Sequence, residues 1–71
     1  MSALAEDVLN LLDRREKVTI REIKDKFDVT EETAQMVINF LMEFGFAESD
    51  KSKKYYMLSK ACKKFFKELG P

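Results

Sequence analysis

Lys51, Lys53 and Lys54 crowd three ammonium groups into four positions, with the hydroxyl of Ser52 between them and Tyr55 and Tyr56 directly after. Donors of that kind at that spacing suit contacts to phosphate oxygens. The same composition also suits a solvated turn, where lysine is common and protects sheet edges. A second basic set, Lys60, Lys63, Lys64 and Lys67, recurs at i, i+3, i+4 and i+7, which is one face of a helix. That stripe fits the solvent side of an amphipathic helix. The alternatives are phosphates, an anionic membrane surface or an acidic partner, the acidic half of a second copy among them.

Most other chemistries lack their residues. With no histidine and the single cysteine Cys62, one chain builds neither a disulfide nor a Cys/His metal cluster. The usual general base is missing, and no serine or threonine sits in a glycine-flanked nucleophile turn. Paired carboxylates remain, but tuning them needs a desolvated cleft that a chain of 71 residues seldom provides. The expectation is therefore no enzyme, no metal and no cofactor.

Charge is divided along the chain although the net is zero. Through Asp50 there are twelve acidic and six basic residues, whereas from Lys51 onward seven lysines face Glu68 alone. Such asymmetry points to a polar partner surface. Hydrophobic content of 45% with 37% charged residues is that of an ordered globular chain, and the length predicts one domain over 1–71. No charged-then-apolar leader opens the chain. The longest apolar-rich run, Val37 to Phe46, is interrupted by Asn39, Glu43 and Gly45, so no membrane span and a cytoplasmic location are expected.

The elements that must position the basic groups follow from periodicity and caps. Ser2 can cap a first helix ending near Arg15, with Leu4, Val8, Leu11 and Leu12 as its buried stripe. Thr19 and Glu22 have capping-box spacing, and Val18 and Ile23 stand where a hydrophobic staple would close, so a second helix of about two turns starts at Ile20. Its core face is Ile20, Ile23 and Phe27, and Val18-Thr19 ahead of it could form a short edge strand. Thr30, followed by Glu31 and Glu32, starts a third helix running to about Phe44, with Gly45 at its C-terminus and Ala34, Val37, Ile38 and Leu41 facing inward. Extended segments around Phe46–Ser49 and Tyr55–Leu58 then make a hairpin whose tip is the basic run. Ser59 caps a last helix ending at Gly70-Pro71, with Ala61, Phe65 and Leu69 opposite the lysines and Cys62 and Phe66 buried on the flank.

Val29-Thr30-Glu31-Glu32-Thr33-Ala34 through Leu41, with Phe44-Gly45-Phe46, resembles the second half of the helix-turn-helix in small prokaryotic winged-helix regulators. Tyr56-Met57-Leu58-Ser59 is similar to the wing strand that leads into their last helix. The resemblance covers nearly the whole chain and implies an α+β winged helix-turn-helix: a three-helix core, a β-hairpin wing and a fourth helix. It further implies a DNA-binding transcriptional regulator whose third helix enters the major groove while the wing meets phosphate or minor groove. The nucleic-acid-binding residues under that reading are Thr30, Gln35, Asn39, Lys51, Ser52, Lys53, Lys54 and Tyr55, and the partner is duplex DNA.

One departure opens a second reading. The outward face of the third helix is Glu32, Gln35, Met36, Asn39, Phe40 and Glu43, without the lysine or arginine that usually reads guanine. Gln35 and Asn39 can pair with adenine or serve as solvated surface. Met36 and Phe40, with Phe44, form an apolar ridge that either helix one or helix four covers, or that is a protein interface for a homodimer or another partner. Neither reading involves a membrane.

Overall fold

A computed structural model describes residues 3–70; the expected Ser2 cap and Pro71 lie outside them. Helix α1 spans Ala3–Arg14. Val8, Leu11 and Leu12 are buried as their spacing requires, Leu4 is half-buried, and Ala5 and Leu9 are buried as well. The buried face is broader than the expected stripe because α1 packs against both the third helix and the second strand.

Helix α2, Ile20–Phe27, begins with the capping box that its sequence spells. Thr19 Oγ1 accepts the Glu22 N–H at 3.1 Å, and Glu22 Oε1 accepts the Thr19 N–H at 3.1 Å. Val18 and Ile23, at the staple positions, are both fully buried. Replacing Thr19 by alanine strands one of these amides. It should cost about 1 kcal/mol and lower the melting temperature by roughly 4–8 °C, read by thermal circular dichroism.

Asp28 follows with φ 52°, ψ 50°, the left-handed conformation that aspartate tolerates better than most residues. The Val29 N–H then closes onto the Lys24 carbonyl at 3.2 Å, which turns the chain toward α3, Glu31–Glu43. Ala34, Ile38 and Leu41 are fully buried, and Val37 is half-buried at the edge of the same face. At the far end Gly45 takes φ 79°. Its N–H bonds the Met42 carbonyl at 3.0 Å while the Phe46 N–H reaches back to the Leu41 carbonyl at 2.8 Å, the paired bonds of a Schellman termination.

Strands β1 (Ala47–Ser49) and β2 (Tyr56–Leu58) pair antiparallel, Ala47 opposite Leu58 and Ser49 opposite Tyr56. Both start one residue later than expected. Phe46 has given its N–H to α3, and the Tyr55 carbonyl accepts the Asp50 N–H at 3.0 Å beyond the ladder proper. The edge strand expected at Val18-Thr19 is a single bridge, with Val18 and Tyr56 exchanging N–H···O bonds of 2.8 and 2.7 Å. It goes no further because Thr19 turns to cap α2.

Helix α4, Lys60–Leu69, is capped by Ser59, whose hydroxyl accepts the Cys62 N–H at 3.1 Å. Its orientation corrects one expectation. Cys62 is buried and Phe66 half-buried, as expected of the flank, but Ala61 is exposed, Phe65 is 57% exposed and Leu69 is 66% exposed. The apolar arc of α4 is wider than the surface available to it, and the Ser59 N–H, bonded to the Phe46 carbonyl at 3.0 Å, anchors its start. The Cys62–Phe66 edge consequently meets the body and the Ala61–Phe65–Leu69 edge does not. No helix among the described residues is long and apolar enough to cross a membrane.

Candidate nucleic-acid interface

The basic hairpin tip is organised by the carboxylate at its base. Asp50 accepts the Ser52 hydroxyl at 2.7 Å, the Lys54 N–H at 3.0 Å and the Tyr55 N–H at 3.2 Å. Its own carbonyl accepts the Lys53 N–H at 3.1 Å, and the Tyr56 hydroxyl donates to the Lys53 carbonyl at 3.4 Å. Lys51, Lys53 and Lys54 are left pointing into solvent. Lys53 has φ 59°, where a side-chain-bearing residue costs about 1–2 kcal/mol and glycine is the usual occupant.

Those hydrogen bonds, the Ser52 hydroxyl foremost and the Tyr55 amide next, hold the Asp50 carboxyl below the usual carboxylate value. The contribution of Asp50 to the tip is therefore present above the unfolded carboxylate pKa and lost as pH falls through the lower folded value. At neutral pH the tip is intact. Replacing Asp50 by alanine should speed hydrogen exchange at the Lys54 and Tyr55 amides several-fold while leaving the Ile38 and Leu41 amides protected, as measured by NMR.

Other expected contact residues are partly engaged already. The Ser52 proton is given to Asp50. Thr30 Oγ1 accepts the Thr33 N–H at 3.1 Å and donates to Thr33 Oγ1 at 3.0 Å, so its hydroxyl serves the start of α3. Gln35 Nε2 donates to Asn39 Oδ1 at 2.9 Å, an i, i+4 pair that leaves the Gln35 carbonyl and the Asn39 amino group outward. Tyr55 is exposed and stacks under a cation, with Lys17 Nζ 4.4 Å from its ring centroid.

Lys17 lies far from the tip in sequence and is not among the expected contact residues. The Val18–Tyr56 bridge brings it there, and no local signal announces that pairing. Asp50 is likewise not among them, although an aspartate opening a short polar turn is a readable signal for side-chain bonds to the following amides.

Helix α3 presents a different surface. An open depression on it is lined by Glu31, Glu32, Gln35, Met36 and Asn39, so carboxylates occupy the helix start where phosphate would otherwise be welcome. Beside it Met36 is 64%, Phe40 37% and Phe44 61% exposed, with the Phe40 and Phe44 rings 4.8 Å apart. Met36 and Phe44 are thus largely open to solvent, whereas Phe40 is nearly two-thirds covered. The α4 lysines Lys60, Lys63, Lys64 and Lys67 are all exposed. Cys62 is buried, and desolvation, with a smaller contribution from the Asp13 carboxylate, pushes its thiol pKa up. Among the described residues no group of three or more His, Cys, Asp or Glu side chains could hold a metal ion.

No family model and no curated protein matches the sequence. Solved structures do match in shape. Lactococcus lactis ZitR, as the C30AH42A mutant, superposes with a TM-score of 0.78 at 16% identity over 97% of this chain and 50% of that one. Streptococcus pyogenes adhesin competence repressor (AdcR) gives 0.74 at 16% identity over 96% and 54%. Pseudomonas aeruginosa HmgR gives 0.76 at 17% identity over 87% and 27%. The chain thus spans between about a quarter and about half of the lengths of those proteins. Three helices, an Asp50-organised hairpin and a fourth helix, superposing on these proteins along nearly the whole chain, give this protein the winged helix-turn-helix fold.

Proposed function

We propose that this protein is a duplex-DNA-binding module of the transcription-regulator type, one that grips the phosphate backbone through its wing and reads base sequence weakly. The observation that carries the reading is Lys53. A lysine occupies a left-handed position that glycine fills without strain, on a tip tied down by Asp50, so that three ammonium groups project together. A turn selected for stability alone would place glycine there. The shared fold supports the same reading, since one of the superposing proteins is named a repressor. Lys17, above Tyr55, adds a fourth cation at the base of the wing. The α3 surface, with no lysine or arginine, offers only the Gln35 carbonyl and the Asn39 amino group for base edges.

Titration of labelled mixed-sequence duplex by fluorescence anisotropy at several salt concentrations tests this. Binding that weakens steeply with salt and varies little with sequence is expected. Lys53→Gly sharpens the test because its two effects have opposite signs. Affinity should fall several-fold, while stability holds or rises by up to about 1 kcal/mol as the backbone strain is relieved. Unchanged affinity in that variant would remove Lys53 from the interface.

A further inference from the structure

Gln35 and Asn39 stand one turn apart on α3, and the bond from Gln35 Nε2 to Asn39 Oδ1 at 2.9 Å ties the two amides together. That bond occupies the amino end of one amide and the carbonyl end of the other. What the pair turns outward is an acceptor next to a donor, the Gln35 carbonyl beside the Asn39 amino group. Both line the open depression whose other walls are Glu31, Glu32 and Met36.

We propose that Gln35 and Asn39 act as one composite reader that selects an adenine at a single position of the duplex. The inference rests on the duplex-DNA reading above and adds a base preference to it. In the major groove adenine presents the N7 acceptor beside the N6 amino donor. N6–H donates to the Gln35 carbonyl while the Asn39 amino group donates to N7, so both outward groups are satisfied at once. The other bases fail for definite reasons. Guanine offers two acceptors, O6 and N7, and sets one of them against the Gln35 carbonyl, whereas thymine offers only the O4 acceptor and cytosine only the N4 donor, each leaving one amide group unpaired. Glu31 and Glu32 add to the bias, because further acceptors around the depression also turn away an O6/N7 edge. Met36, exposed in the same depression, supplies an apolar surface for the thymine methyl of that base pair. The ends of the amides that do not meet the base are already bonded to each other, so docking has less freedom to remove. One base pair read in this way gives about a tenfold preference. That is small beside the phosphate contacts of the wing, which is why overall affinity varies little with sequence.

Selection of binders from a library of randomised duplexes by the full chain should enrich an A·T pair at one position. There, 7-deazaadenine, which lacks the N7 acceptor, and unsubstituted purine, which lacks the N6 amino group, should each weaken wild-type binding about tenfold. In Asn39→Ala the deazaadenine penalty should vanish, and in Gln35→Ala the purine penalty, with circular dichroism confirming the fold of both variants. Matched losses of this kind do not arise from a helix that is merely deformed. Enrichment of guanine, or salt-sensitive binding with no enriched position, overturns the reader and leaves the wing reading standing. A deazaadenine penalty that persists in Asn39→Ala overturns the assignment of that residue to N7. Absence of any duplex binding removes the wing reading and the adenine reader with it.

Discussion

Replacing Lys51, Lys53 and Lys54 together by alanine is expected to lower affinity for duplex DNA on the order of a hundredfold at about 0.1 M salt. The reasoning is one of counterions. Each lysine that neutralises a phosphate releases condensed cations, and the slope of log affinity against log salt should become shallower by roughly 0.9 per contact, about 2.7 for three. All three side chains are exposed, so folding stability should shift by no more than about 0.5 kcal/mol. Anisotropy titrations across a salt series check both numbers. An affinity loss with an unchanged slope would mean that the tip had been deformed rather than discharged, and an unchanged affinity would place the phosphate contacts elsewhere, with the α4 lysines next in line.

Leu41→Ala should have the largest effect on folding. A chain of this length has a total stability of roughly 4–10 kcal/mol, and emptying a fully buried leucine site costs about 3 kcal/mol. The melting temperature should drop by roughly 12–24 °C. Leu41 is a demanding position because two roles meet there. Its side chain is shut in the core, and its carbonyl takes the Phe46 N–H that turns α3 into the wing. Denaturant-induced unfolding followed by circular dichroism measures the loss. Phe44→Ala, three residues away but 61% exposed, is the control and should cost the monomer less than about 1 kcal/mol. Equal losses at the two positions would mean that the ridge is part of the core.

Much of the fold was legible from the residues. Thr19 and Glu22 form the capping box, Thr30 and Ser59 cap their helices, and Gly45 takes the left-handed position at the end of α3. The inward stripe Ala34, Ile38, Leu41 is fully buried. Each of these signals acts within a turn or two, between groups the chain has already brought close.

What escaped the sequence depends on contacts between distant segments. The lysines of α4 marked its polar side, but an apolar arc that wide has more than one rotation against a small body, and the Ser59 anchor on Phe46 chose the one that buries Cys62 and leaves Phe65 and Leu69 outside. The same holds for Met36, Phe40 and Phe44, whose exposure depends on how the other helices pack around α3. Lys17 reached the wing through a bridge that spans much of the chain. The sequence by itself therefore determined which elements form, where they start and stop, and which face of α3 turns inward, because local hydrogen bonding and periodicity decide those. Tertiary structure alone decided which apolar side chains and which charges were left on the surface, because an exposed surface is whatever the packing of remote elements fails to cover.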